Sequence, residues 1–262
     1  MKSLDENYSF EVTCFIIIKT GSVERMENFL SVIDFISKTS KFIIQVLEIS
    51  NNRKSMLFDL LPKSIIYTLN ESSDSILHRT YCINQLAINA TSPFIAIWDA
   101  DIIIPFRQIQ EAMELLQDGI ADFVYPYDKR FLDTTPIIRK LFLETRNIEV
   151  LERNQMKMNE LYMPNPLGGA FFVNRESYLS AGMENEVFYG WGMEDGERFY
   201  RWQKLGYRVK RVHGPLYHLS HPRSINSTFQ NQDQSLLKLK ETLKAKRLAE
   251  ATGFDDQTWS GE

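Results

Sequence analysis

Phe94-Ile95-Ala96-Ile97-Trp98-Asp99-Ala100-Asp101 decides the fold of this chain, because an apolar run of strand length stops at two acids one residue apart. Thr91-Ser92-Pro93 breaks the chain just before it and ends a helical pattern over residues 76–90. Where strands alternate with helices, a strand ending in this way presents its carboxylates at the carboxyl edge of a sheet, the edge at which such sheets bind ligands. Carboxylates there are hard oxygen ligands of the kind that Mn²⁺ or Mg²⁺ takes when it bridges a diphosphate. The same letters also describe a solvated turn after a buried strand, so the reading needs an independent second element.

The alternation extends in both directions. Cys14-Phe15-Ile16-Ile17-Ile18 reads as a buried strand, and Ser22 as the cap of a helix with Val23, Met26, Leu30 and Ile33 on one face. Residues 42–49 and 65–69 give two more strands. A helix over residues 106–117 stops near Gly119, and a strand follows at residues 123–125. Without an internal repeat, a doubly wound α/β domain of mostly parallel strands is the economical expectation. Residues 136–161 read as one or two amphipathic helices, and residues 235–251, rich in Leu, Lys and Glu, as a terminal helix.

The second element is Gly190-Trp191-Gly192-Met193-Glu194-Asp195-Gly196-Glu197, two adjacent acids after a glycine-flanked tryptophan, just before a helical run from Arg198. The glycines free the backbone around Trp191, whose indole can then face a sugar ring. Glu194 and Asp195 fall at the start of a helix, whose positive end favours carboxylates. Read alone, this is equally an acidic N-cap beside a buried tryptophan. Alongside Asp99 and Asp101 it reads as an acceptor site with its general base.

Four separated segments resemble glycosyltransferases of the GT-A fold, and among them the set related to animal β-1,4-galactosyltransferases. Leu77-His78-Arg79-Thr80-Tyr81-Cys82-Ile83-Asn84 resembles the segment whose arginine contacts the nucleotide diphosphate, and Asp99-Ala100-Asp101 follows at the expected distance. Leu167-Gly168-Gly169-Ala170 resembles the glycine pair beside the donor sugar, with the Gly-Trp-Gly-x-Glu-Asp block at similar spacing after it. His218-Leu219-Ser220-His221-Pro222-Arg223 resembles the closing metal-binding loop. In this order the segments span most of residues 10–223.

The resemblance implies a GT-A domain over residues 1–225, with a Rossmann-like, mostly parallel sheet flanked by helices, and a helical extension over residues 226–262. It implies that Asp195 is the general base, that Glu194 positions the acceptor, and that Trp191 packs on a sugar face or on a loop closing over the donor. Asp101 is the expected carboxylate ligand of the metal, with Asp99 binding it through water or holding ribose. His221 adds an imidazole, and His218 stands where the family commonly has methionine, which gives a two-histidine site. On the donor half, Arg79 is expected on the phosphates, Lys19 at the end of the first strand near the nucleotide, and Gly169 beside the sugar. Glu48, ending the second strand, can accept hydrogen bonds from the uridine base or ribose.

The expected activity is inverting, metal-dependent transfer of a hexose, galactose or N-acetylgalactosamine, from a UDP-sugar to a glycan or lipid-linked glycan in polysaccharide or surface-glycan synthesis. Mn²⁺ is the expected ion and Mg²⁺ the alternative. One rival is a GT-A-like sugar nucleotidyltransferase, for whose triphosphate loop Lys19-Thr20-Gly21-Ser22 is a poor version. The other is a non-catalytic glycan-binding module, which needs neither metal ligands nor a base.

Composition narrows the partners. A chain of 262 residues is one large domain or a domain with an appendage. With 30 Lys and Arg against 34 Asp and Glu and no basic block, nucleic acid is excluded as the main partner. Cys14 and Cys82 read as reduced core residues rather than a disulfide or zinc site. Met1-Lys2-Ser3-Leu4-Asp5-Glu6 carries no signal-type apolar core, and no apolar run is long enough to cross a bilayer. Animal relatives carry an anchor; the expectation here is a cytoplasmic enzyme, with peripheral contact at the inner membrane near a lipid-linked acceptor.

Overall fold

The structure is a computed structural model that describes residues 11–229 and 232–255. The reading of residues 1–6 lies outside them, as do residues 230, 231 and 256–262 of the expected C-terminal extension. Along the chain the strands are β1 (Val12–Ile18), β2 (Ile43–Ser50), β3 (Ile66–Glu71), β4 (Phe94–Trp98), β5 (Ile102–Ile103), β6 (Phe123–Tyr125), β7 (Phe131–Asp133), β8 (Asn159–Glu160), β9 (Ala170–Asn174), β10 (Val209–Arg211) and β11 (Leu216–His218). The helices are α1 (Val23–Thr39), α2 (Leu57–Leu60), α3 (Arg79–Asn89), α4 (Phe106–Gln117), α5 (Pro136–Thr145), α6 (Glu149–Glu152), α7 (Arg175–Ser180), α8 (Glu194–Lys204) and α9 (Gln232–Glu250).

The central sheet has the order β10-β6-β9-β4-β1-β2-β3, with β4 in the middle. β1 pairs in parallel with both β2 and β4, and is buried along almost all its length. Continuous burial is what a parallel strand covered on both faces demands, and it explains the unbroken apolar run. Ser22 starts α1 by accepting the Arg25 N–H, which satisfies one of the otherwise orphaned donors of the first turn.

The helix expected from residue 76 begins at Arg79 instead. The Ile76 N–H is bonded to Asp74 Oδ1 at 2.9 Å and the Leu77 N–H to Asn226 Oδ1 at 2.7 Å, so that stretch is held in a turn. The late start leaves Arg79 in the first turn of α3, at the carboxyl edge of the sheet.

The strand β9 is a departure from simple alternation. It runs antiparallel to both β4 and β6, and Trp98 pairs with Ala170. A second sheet, β5-β11-β7-β8, sits beyond that edge. The strands of this second sheet are two and three residues long and are set by pairing with distant segments, which local pattern does not carry.

The core is aromatic: Trp98 meets Phe172 edge-on, and Trp202 of α8 stacks on Phe123 with ring centroids 3.7 Å apart. Full burial of each such side chain contributes roughly 1.5–3 kcal/mol, enough to anchor α8 to the sheet. Cys14 and Cys82 are buried and free, and burial pushes the Cys82 thiol up to about 11. α9 packs along α8, its buried face formed by Lys238, Ala245 and Ala249. Among the described residues no helix is long and apolar enough to cross a membrane.

Candidate active site

The Asp99 N–H donates to Gly169 O at 2.8 Å, so β9 delivers the glycine pair directly against the turn after β4. Gly169 has φ +87°, and a Cβ there would lie 2.8 Å from Leu216 Cδ1 and 3.0 Å from Phe131 Cε2. Only glycine fits that conformation and that gap. On the other side of the turn, the Leu219 N–H donates to Asp101 O at 2.8 Å, extending the antiparallel pairing of β11 with β5.

That pairing carries the two histidines to Asp101. His221 Nε2 lies 3.0 Å and His218 Nε2 3.7 Å from Asp101 Oδ2. Asp133 faces His218 in the register of β7 with β11, and its Oδ1 accepts from His218 Nδ1 at 2.7 Å. Burial opposes charge on Asp101 and on His218, but their mutual attraction wins. Asp101 is held well below the usual carboxylate range by the two imidazoles, and His218 is pushed up to about 10 by Asp101 and Asp133. One carboxylate oxygen and two imidazole nitrogens, all within 4.8 Å of one another, form a donor set that fits a divalent cation.

Arg79 Nη2 donates to Asp99 Oδ1 at 2.5 Å. Burial raises the Asp99 pKa, and the Arg79 charge offsets part of that rise. The pair places a guanidinium in the same cavity as that donor set, where its fork of N–H groups can meet anionic oxygens.

The acidic block opens α8. Met193, its N-cap, has φ +71° and no side-chain capping bond. Gly192, at φ +106°, lies against Phe229, whose Cε1 would be 2.8 Å from any Cβ added there. Half-buried Trp191 meets Phe229 edge-on at 5.2 Å, and the Arg223 guanidinium lies 5.8 Å from its ring centroid.

Asp195 Oδ1 accepts from Arg198 Nη2 at 2.6 Å, while Oδ2 lies over Gly168, 2.7 Å from where a Cβ would be. Arg198 in turn donates to Glu184 Oε2 at 2.9 Å and lies over the Phe171 ring at 4.2 Å. Glu194 is buried, and its Oε2 has no hydrogen-bond partner among the described residues. Burial, with the charge of Asp195 beside it, pushes Glu194 up to about 7. Of the two adjacent acids, Asp195 is thus ion-paired to Arg198, while Glu194 is held with a raised pKa.

These groups share one cavity of about 480 Å³, within the range of small-ligand sites. Every site residue expected from the sequence lines it except Lys19 and Glu48. Lys19 Nζ is bonded to the Asp74 carbonyl. Glu48 is buried at the end of β2 and accepts from Tyr67 Oη at 2.7 Å and from the Ser55 hydroxyl. Both ends of strand that were expected to face the nucleotide are bonded within the protein instead.

Residues 153–223, from before the glycine pair to the end of the histidine loop, match the family described as the N-terminal domain of galactosyltransferase. No curated protein matches the chain. Among solved structures, the catalytic domain of Drosophila β1,4-galactosyltransferase 7 in complex with xylobiose is similar over 89% of this chain and 81% of that one, at 16% identity and a TM-score of 0.57. A mutant of the same Drosophila enzyme, in complex with manganese, UDP-Gal and xylobiose, is similar over 87% and 79%, at 16% identity and a TM-score of 0.55. The chain has a galactosyltransferase-like GT-A fold.

Within this GT-A fold, three cavity-side groups escaped the sequence reading. Arg198 had a legible signal, since i,i+3 spacing from Asp195 puts both on one helix face. Asp133 had none, because it reaches His218 only through the β7–β11 pairing. Arg223 lies inside the His218–Arg223 motif but had no partner assigned, and the structure sets it beside Trp191.

Proposed function

We propose that the chain is a metal-dependent, inverting glycosyltransferase that moves a hexose, galactose or N-acetylgalactosamine, from a UDP-sugar to a hydroxyl of a glycan acceptor. The observation that carries this reading is the meeting, in one cavity, of a cation-binding cluster with Arg79 and of the carboxylate pair Glu194 and Asp195. The Drosophila structures, one with manganese, UDP-Gal and xylobiose and one with xylobiose, support the same assignment of donor, ion and acceptor classes.

Asp101, His218 and His221 would hold Mn²⁺, with Mg²⁺ as the alternative ion, and Asp133 would orient His218. A bound divalent ion supplies charge stabilisation to the leaving diphosphate. Arg79 adds a fixed cation to the same oxygens, and Asp99 holds that arginine in place. Asp195 accepts the proton of the attacking hydroxyl as its oxygen bonds to the anomeric carbon and the bond to the diphosphate breaks. Attack opposite the leaving group inverts that centre. Arg198 keeps Asp195 aimed, Glu194 hydrogen-bonds the acceptor, and Trp191 offers an apolar face to a sugar ring.

Residues 1–225 form the transferase domain in this reading, and residues 226–262 an extension. A setting in polysaccharide or surface-glycan synthesis, with lipid-linked acceptors at the cytoplasmic face of the inner membrane, is supported by exposed Leu236, Leu239 and Leu243 beside Lys240, Lys244 and Arg247 on α9.

The test is calorimetry with UDP, UDP-galactose, UDP-N-acetylgalactosamine and a nucleoside triphosphate, each with Mn²⁺ or chelator. Binding confined to UDP compounds and lost with chelator is expected. Preference for the triphosphate would turn the reading to a nucleotidyltransferase. Asp195→Asn should keep UDP binding while transfer falls by about 10²–10⁴.

A further inference from the structure

The C-terminal helix lies beyond the 153–223 match, yet two of its side chains reach the main chain of the acidic loop. Lys238 is 1% exposed, and its Nζ donates to Trp191 O at 2.8 Å. One turn further along α9, Thr242 Oγ1 lies 3.3 Å from Met193 O, and its methyl would meet a Cβ on Gly196 at 3.3 Å. The two bonded carbonyls flank Gly192, in a turn where Gly190, Gly192 and Met193 all have positive φ.

Positive φ at Met193 is a strained conformation that the surroundings must hold, and α8 starts from it without a side-chain cap. A buried ammonium is a costly group to spend on a carbonyl unless the bond secures something. Lys238 also contributes attraction to the Glu194 carboxylate, although desolvation dominates its own titration. Phe229 closes the other side, against Gly192 and the Trp191 ring.

We propose that Lys238 and Thr242 are positioning residues for the acceptor side, tying α9 to the Gly190–Met193 turn so that Trp191 and Glu194 are aimed into the cavity. This rests on the reading of that cavity as an acceptor site. α9 is then a strut of the active centre rather than an appended tail. The strut acts on Trp191 and leaves the cation cluster of Asp101, His218 and His221 untouched.

The experiment uses the full chain labelled with 5-fluorotryptophan, with the Trp191 fluorine line assigned by Trp191→Phe. Lys238→Met removes the donor and keeps the stem; Thr242→Val removes the hydroxyl and keeps the contact with Gly196. In both variants the Trp191 line should shift and broaden, while the lines of core residues Trp98 and Trp202 stay in place. Lys238→Arg, which retains a donor, should move the Trp191 line less than Lys238→Met. UDP affinity in the presence of Mn²⁺, measured by calorimetry, should be unchanged. An unmoved Trp191 line in Lys238→Met and Thr242→Val would overturn the proposal. So would a common shift of all tryptophan lines in both variants, because α9 would then serve packing alone. If UDP and Mn²⁺ fail to bind even the unaltered chain while the Trp191 line still responds, the strut stands and the transferase reading falls.

Discussion

Asp133 and His218 form a 2.7 Å carboxylate–imidazole bond across the parallel pair β7 and β11, with the opposite nitrogen of the ring turned to Asp101. In the proposed metal site this carboxylate would fix which nitrogen is free for the ion and make it a better donor, the usual task of a group one step removed from a metal. Asp133→Asn is expected to weaken Mn²⁺ binding by about 10–100-fold with the fold intact. Calorimetric titration of Mn²⁺ in the presence of UDP checks this. An unchanged affinity would mean that His218 is not a ligand or needs no orientation.

Arg198 is the hinge of a buried charge network. Its side chain and that of Glu184 are 1% and 0% exposed, so the pair cannot fall back on solvent. Removing one member of a buried pair costs about 3–5 kcal/mol, because the other is left uncompensated. Arg198→Met should lose stability of that order in urea unfolding, and Glu184→Gln a smaller amount. Because Arg198 also grips Asp195, a folded Arg198→Met protein should retain UDP binding and lose transfer. Stability equal to the unaltered chain would show that the network is looser than its geometry.

Gly169→Ala tests the close approach of β9 to the second sheet. The new methyl would meet Leu216 and Phe131 in a backbone conformation at φ +87°. Overpacking costs about 1–3 kcal/mol, and the left-handed conformation adds roughly 1–2 kcal/mol for a residue with a Cβ. The same strain would pull Gly169 O from the Asp99 N–H, so UDP affinity should fall along with the melting temperature. A variant that melts lower but binds UDP normally would separate the glycine from the donor site.

The physical reason some of this was legible in the sequence is local. β1, β4 and α1 are specified by continuous burial, a breaker and a cap, all of which act between neighbours in the chain. The cavity residues Arg79, Asp101, Trp191, Asp195 and His221 were legible because each sits in a short motif at an element's end, the place where a sheet edge or helix start puts side chains into a site. What was not legible depends on pairing between distant segments. β9 enters antiparallel between two strands, Asp133 finds His218 through a three-residue register, and Lys238 reaches Trp191 from a separate helix. Lys19 and Glu48 show the converse: the right place at a strand end does not aim a side chain once Asp74, Ser55 and Tyr67 offer nearer partners.

Glu194 gives a pH signature with a definite sign. Its ordinary value of 4.5 is raised to about 7 in the folded chain by burial and by the neighbouring Asp195. Below pH 4.5 the carboxyl is protonated in folded and unfolded chains alike, and it has no effect on stability. As pH rises from 4.5 to about 7 the unfolded chain releases this proton while the folded chain keeps it, so the group progressively destabilises the fold. Above pH 7 the penalty levels off on the order of 3 kcal/mol. Glu194→Gln mimics the protonated form and removes the penalty. The variant should therefore match the unaltered chain near pH 4 and become more stable through the window from 4.5 to 7, as read by urea midpoints at each pH. A stability difference that stays flat across that window would show that the fold does not hold the Glu194 proton above its ordinary value.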